Sequence, residues 1–157
     1  MDRLNQVIAN QFEAAWSMLS ESMEQLAGKG WRAGSNAHAI PARLAYHIIE
    51  TADYYTHHDL EVYQWAGRFG VDWEVEDPEQ LPAAEVMLFY LAEVRAKVAD
   101  WLASLGEAGL LASDAVFHQE GMTHLDRALY VLRHTHQHLG ELHALLHERG
   151  LPRPGWR

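Results

Sequence analysis

Histidine is the residue type whose number and spacing stand out in this sequence. Eleven of the 157 residues are histidine, well above a usual share of about 2–3%. Two pairs near the C-terminus are four residues apart, His134 with His138 and His143 with His147. On a helix, residues at this spacing lie one above the other, so both imidazoles of a pair can reach one metal ion. Neutral imidazole is a good ligand for zinc, nickel, copper or iron(II).

A third histidine distinguishes the two pairs. We interpret His143 and His147 as residues that face solvent or a partner, because random placement of so many histidines gives about one such pair. His134 and His138 are favoured by His47, which lies beside the apolar stripe of an earlier helix. In isolation, His47 would be a hydrogen-bonded core residue. Facing helices of a bundle can instead supply ligands to one site, and three histidines would leave positions open, as in catalytic metal sites.

The overall composition excludes several other classes of protein. Lys and Arg number 12 against 22 Asp and Glu, a formal net charge of −10. We therefore expect no nucleic acid and no membrane surface as a partner, since both are anionic. The chain has no cysteine, which removes disulfides and thiolate nucleophiles. No phosphate loop, Rossmann fingerprint, serine-hydrolase elbow or His-Glu-x-x-His motif is present. Without a signal-peptide pattern or a long apolar run, a cytoplasmic protein is expected.

Helices must position these residues, because hydrophobic residues recur every three or four positions almost throughout the chain. Thr123 and Asp126 predict a capping box at the start of the last helix. A long loop over 66–81 joins the second and third helices, with Trp73 folded back onto the body. Residues 110–122 predict either a short extra helix or an irregular return. The predicted helices cover approximately residues 4–28, 41–57, 81–106 and 123–150. The expected fold is all-α, a four-helix bundle in a single domain over residues 1–157.

The last helix has a predicted apolar face and a mixed flank. The face is expected around four leucines, and the flank carries His134 and His138 together with three other polar residues. Such a flank is typical of a polar pocket wall and equally of a solvated face. His136 lies closer to the apolar centre and would be a buried structural histidine; a site built on His136 would replace this ligand set. The four leucines are Leu125, Leu132, Leu139 and Leu146, and the three polar residues are Arg127, Tyr130 and Glu141.

His47 in its helix, the later pattern His134-x-x-x-His138-x-Gly140-Glu141 and the tail 148–154 together resemble the DinB-like (YfiT-like) family. The resemblance extends from the first helix to Pro154. It implies a four-helix bundle of the DinB type, often paired as a homodimer. It also implies a divalent ion, such as zinc, nickel or iron, held by His47, His134 and His138. The family commonly has glutamine where this chain has Glu141.

The residues and the resemblance predict a metal-dependent enzyme acting on a small-molecule substrate, either a thiol-dependent S-transferase or a hydrolase-like enzyme. Characterised members of the family include thiol-dependent S-transferases and isomerases that use low-molecular-weight thiols, and many members have no assigned activity. Because this chain has no cysteine, any sulfur nucleophile would have to be such a co-substrate. Glu141 and Tyr130 are the candidates for orienting a ligand or transferring a proton.

Two other functions remain open at this point. The bundle could bind a small molecule or a partner without catalysis, with a structural or incidental metal. Aromatic residues would then line its pocket, although core and loop packing also explains them. They are Tyr46, Tyr54, Tyr55, Tyr63, Trp65 and Trp73. Alternatively, histidines charging near pH 6.5 would make the chain pH-responsive. His57, His58, His118 and His124 fit no ligand pattern and are expected at the surface.

Overall fold

Four α-helices make up most of the structure, a computed structural model that describes residues 2–117 and 121–156. Short 3-10 turns lie at Ala37–Ala39 and Pro78–Gln80, and one isolated bridge joins Ser113 to Thr123. The described residues form no strand, so the all-α prediction is confirmed. The helices are α1 (Arg3–Ala27), α2 (Pro41–Tyr55), α3 (Ala84–Leu110) and α4 (His124–Glu148).

The helices pack so that α2 lies beside α4. α1 packs mainly against α3 and α4, and α2 packs against the same two helices. The core between them contains fully buried aromatic side chains such as Trp16, Tyr46 and Tyr90. Each large aromatic ring removes apolar surface from water, which is the main stabilising contribution to such a bundle. Because α2 packs against α4, the seam between these two helices brings His47 close to the histidines of the last helix.

Hydrogen bonds explain where α4 and α3 begin. The predicted capping box is present: the Thr123 hydroxyl accepts from the Asp126 amide, and the Asp126 carboxylate accepts from the Thr123 amide at 2.8 Å. α3 begins at Ala84, later than predicted at Leu81-Pro82. The Leu81 carbonyl accepts from the guanidinium of Arg32, and the Pro82 carbonyl accepts from the indole of Trp31. These carbonyls are thus engaged by a neighbouring loop.

Gly106 marks a break in α3 and not its end. Its φ of 63° lies in the left-handed region, which glycine adopts without steric cost. The Glu107 amide beyond it donates to the Asp2 carboxylate at 2.9 Å, and the helix continues to Leu110. After Leu110 the described residues form an irregular return, held by a hydrogen bond from the Asp114 amide to the Met122 carbonyl. His118 lies outside the described residues.

The buried face of α4 differs from the predicted one. Leu139 and Leu146 are buried, but Leu125 and Leu132 are only partly buried. Arg127, predicted on the polar flank, is buried instead and forms an ion pair with Asp114 at 2.7 Å. Their side chains are only 5% and 1% exposed. A buried charge must be paired, and the partner lies in the return segment, which spacing along α4 cannot reveal.

Candidate metal centre

His47, His134 and His138 meet at the seam between α2 and α4. The Nε2 atoms of His47 and His134 are 2.9 Å apart. One ligand atom from each of the three residues lies within 4.8 Å of those of the other two. The centroids of the three rings are 4.6 to 4.8 Å apart. All three side chains are partly exposed.

The local sequence explains why the rings converge. His134 and His138 are one turn apart on α4, and Thr135 and Leu139 beside them are buried against the bundle. His47 lies between the buried residues Tyr46 and Ile48 on α2. The buried neighbours fix the rotation of each helix about its axis, which turns the three imidazoles toward the seam.

Burial keeps two of the three imidazoles neutral. It lowers the pKa of His47 to about 4, with the nearby His138 adding to the effect. It lowers the pKa of His134 to about 3, assisted by His47 and His138. Neutral imidazole is the form that binds metal ions. The donor chemistry therefore fits a divalent transition metal, and within the described residues this is the one group of three or more potential ligands.

The second ring nitrogens of the three histidines differ in their partners. Nδ1 of His138 lies 2.9 Å from the Glu141 carboxylate, which leaves Nε2 as its free ring nitrogen. A carboxylate on the second nitrogen is typical of metal-binding histidines, because it fixes the ring and increases its basicity. The Nδ1 atoms of His47 and His134 are buried and have no partner among the residues that the structure describes.

A covering loop, residues 66–77, lies over the α2 side of the site. Trp73 packs on His47 with ring centroids 4.2 Å apart, which confirms that this tryptophan folds back onto the body. Side chains of α2 hold the loop backbone. Tyr46 donates to the Val71 carbonyl at 2.9 Å, and Arg43 donates to the Val75 carbonyl at 2.7 Å.

Glu50 is a buried carboxyl that the sequence analysis did not single out. It is 1% exposed, and it accepts a hydrogen bond from the Ala66 amide at 2.7 Å. Burial raises its pKa to about 7, while the Ala66 amide opposes the shift. Ala66 adopts a φ of 60°, which is unusual for a residue with a side chain. A charged residue one turn after His47, on the buried side of α2, was the available signal.

The family comparison covers this site. A model of the DinB superfamily matches residues 11–142, a range that contains all three histidines and Glu141. The chain belongs to the DinB superfamily. A comparison with curated proteins finds no match.

Tyr130, the other candidate for proton transfer, borders the site of this DinB-superfamily chain. Its ring lies nearly parallel to that of His134, with centroids 6.4 Å apart. It also contacts Tyr55 and Phe117, and a hydrogen bond with Tyr130 helps to raise the pKa of Tyr55. Tyr130 thus joins an aromatic cluster at the edge of the three histidines.

The remaining described histidines lie outside the site. His136 and His143 are partly buried, and burial lowers the pKa of both. The ring of His136 lies near Trp156, at 6.2 Å between centroids. His57 and His58 contact each other, and His124 is partly buried, with its ring nitrogen 3.1 Å from the Gly109 carbonyl.

The predicted aromatic residues divide into two groups. Tyr46 and Tyr55 are buried in the core, whereas Tyr54, Tyr63 and Trp65 contact one another beside the end of α2. Core and loop packing therefore accounts for them, apart from Trp73. None of the described helices is both long enough and apolar enough to cross a membrane.

Proposed function

We propose that this DinB-superfamily chain is a metal-dependent enzyme, acting as a single domain over residues 1–157. It transfers a low-molecular-weight thiol to a small electrophile, with His47, His134 and His138 as metal ligands. The observation that carries the proposal is the convergence of three partly exposed imidazoles, because a metal held by three protein ligands keeps a coordination position for a small molecule.

A bound zinc, nickel or iron(II) ion would supply Lewis acidity, which lowers the pKa of a thiol or water in contact with it. The chain's own residues supply the rest. Glu141 accepts a hydrogen bond from Nδ1 of His138 and so holds that ring with Nε2 toward the centre. Glu141 is also 46% exposed, so it is available as a proton acceptor for an incoming thiol. Trp73 packs on His47 and the ring of Tyr130 lies near that of His134, so aromatic rings border two of the three histidines.

The requirement for an external thiol follows from the composition. The chain has no cysteine, so the sulfur nucleophile must come from solution. A hydrolase would use water in the same position, and both reactions need a nucleophile that is deprotonated near pH 7. The resemblance to thiol-using relatives favours the transferase. It also favours a homodimer, which light scattering of the purified protein would test.

The test begins with protein purified without a histidine tag. Elemental analysis should find close to one equivalent of a transition metal, and the apoprotein should recover the metal on dialysis. The reconstituted protein is then assayed for thiol transfer and for hydrolysis against a panel of electrophiles. Metal-dependent turnover that His138→Ala abolishes would support the proposal. A protein that cannot be reconstituted, with His138→Ala behaving as the parent, would reject it. Metal binding and tight metabolite retention without turnover would favour the binding-protein alternative.

A further inference from the structure

The covering loop beside the three-histidine site carries an excess of negative charge. The covering loop has four carboxylates in six positions, and its exposed and partly buried residues alternate. Val71, Trp73 and Val75 are partly buried, so the apolar side of the loop faces the bundle. The carboxylates lie on its exposed side. They are Asp72, Glu74, Glu76 and Asp77.

Two carboxylates are linked to the histidines, one by direct contact and one through a neighbouring residue. Glu141 contacts Nδ1 of His138 at 2.9 Å. Asp72 directly precedes Trp73, whose ring packs on His47, and the Asp72 carboxylate accepts from the Glu74 amide at 2.7 Å. Both negative charges act on His47, since each raises its pKa against the dominant effect of burial.

Two arginines beside the covering loop are engaged by other groups. Arg43 is 7% exposed, and its guanidinium donates to the Val75 carbonyl beneath the loop. Arg68 forms an ion pair with Glu93 of α3 at 2.7 Å and lies over the ring of Tyr90. A third arginine, Arg133, lies over the ring of Tyr130 at 5.5 Å. The negative charges that act on His47 are those of Glu141 and Asp72.

We infer that this site selects its small thiol by charge, accepting cationic or neutral thiols and disfavouring anionic ones, with Asp72 and Glu141 as the specificity-determining residues. The inference rests on the proposed function, because it concerns the co-substrate of the same site. Glu141 contacts His138, and Asp72 precedes the tryptophan that packs on His47, so their negative charges would favour an ammonium group on a thiol at this site and repel a carboxylate. Trp73 adds an aromatic face, which also attracts cations.

The experiment measures binding, so that it does not depend on turnover. Cobalt(II) is loaded into the apoprotein, and thiols are titrated while sulfur-to-cobalt charge-transfer absorption is recorded. Three thiols of similar size carry different charges: cysteamine is cationic, 2-mercaptoethanol is neutral and 3-mercaptopropionate is anionic. Each titration is repeated in Asp72→Asn, Glu141→Gln and the double variant. Because the thiols differ in acidity, the measured quantity is the ratio of cysteamine to mercaptopropionate affinity, compared between parent and variant.

We expect this ratio to fall about tenfold in the double variant, since two unit charges near the ligand are removed. Asp72→Asn alone, which leaves every histidine contact intact, should account for part of the fall. The parent's ratio should also shrink when salt rises from about 0.01 M to about 0.5 M, because salt screens exposed charges. The matched control is Glu85→Gln with Asp100→Asn, two exposed carboxylates on α3. It has the same change in net charge and should keep the parent's ratio.

The outcomes separate the two proposals. Thiols that bind cobalt with the same ratio in parent and double variant would overturn charge selection and leave the thiol-dependent function intact. A fall in the ratio that the α3 control reproduces would also overturn it, because overall charge would then be responsible. If cobalt binds but none of the three thiols produces the sulfur band, the thiol-dependent function itself fails.

Discussion

The Nε2 atoms of His47 and His134 face each other at 2.9 Å, although 87 positions separate the two residues. Two neutral imidazoles can share only one proton at that contact. Their Nδ1 atoms find no partner among the described residues, so two buried ring nitrogens remain without hydrogen bonds. These contacts contribute little to the stability of the apoprotein. A cation bound between the facing Nε2 atoms is expected to stabilise the fold.

Metal should therefore stabilise the folded chain. Zinc at a free concentration of 100 times its dissociation constant should raise the free energy of unfolding by about 2.7 kcal/mol, because it binds the native state alone. Thermal denaturation with zinc and with a chelator measures the difference. Identical curves under both conditions would contradict the prediction.

Removing one ligand should abolish tight binding. His47→Ala is expected to weaken zinc affinity by at least about 100-fold, since two imidazoles remain and water must replace the third. Competition with a chromophoric chelator gives the affinity. His136→Ala is the matched control, because His136 is partly buried on α4 but outside the three-histidine group. Equal losses in the two variants would show that His47 has no special role.

Glu141 should act through the ring of His138. Glu141→Ala removes the acceptor on Nδ1 and should lower metal affinity by about tenfold, in the range known for partners of metal ligands. Glu141→Gln keeps an oxygen acceptor and should lose less, because the amide can still orient the ring. Isothermal titration of the apoproteins with zinc compares the two, and a larger loss in the Gln variant than in the Ala variant would refute this role.

Glu50 should make stability decrease as pH rises. Its pKa is raised to about 7 in the fold, so between about pH 4.5 and 7 the unfolded chain releases a proton that the folded chain retains. The free energy of unfolding therefore falls across this window, and above it the loss amounts to about 3 kcal/mol.

Glu50→Gln should remove this loss, because the amide oxygen can accept from the Ala66 amide without carrying a charge. Urea unfolding of chelator-treated parent and variant from pH 5 to 8 measures the difference at each pH. The histidines, whose lowered pKa values act in the opposite sense below pH 6.5, cancel in this comparison. Glu85→Gln on the exposed face of α3 is the control. A constant difference between parent and Glu50→Gln would contradict the assignment.

The ion pair of Arg127 and Asp114 should be costly to break. Asp114→Asn leaves a buried guanidinium without its counter-charge and should reduce the free energy of unfolding by about 3–5 kcal/mol. The double substitution Arg127→Met with Asp114→Leu should cost less, because neither charge remains. Urea unfolding at pH 7 compares the variants. A double variant less stable than Asp114→Asn would show that the pair contributes more than mutual neutralisation.

The helices and the pair His134–His138 could be predicted because the sequence patterns that indicate them lie within a single segment of the chain. The helical period gave α1, α2 and α4 closely, and the Thr123–Asp126 capping box is complete within four residues. His134 and His138 share a face by spacing alone. Their contact with His47 requires only that α2 and α4 be neighbours in the bundle.

The contacts that sequence could not predict join segments without periodic structure. Arg127 is buried because Asp114, in an irregular return, supplies its counter-charge. Glu50 is buried because the covering loop passes over it, and its partner, the Ala66 amide, is a backbone group that no side-chain pattern identifies. α3 begins at Ala84, later than predicted, because Trp31 and Arg32 donate hydrogen bonds to the carbonyls of Pro82 and Leu81. These contacts depend on the conformations of the connecting loops, which follow no periodic sequence pattern.

The contact between Trp73 and His47 gives the protein an internal optical reporter. The two rings are 4.2 Å apart at their centroids, so any species that joins or leaves His47 changes the surroundings of that indole. Paramagnetic ions such as cobalt(II) or nickel(II) would quench its fluorescence at this range. Subtracting the emission of a Trp73→Phe variant would isolate its contribution from the other five tryptophans. Occupancy of the centre could then be followed in real time without a label.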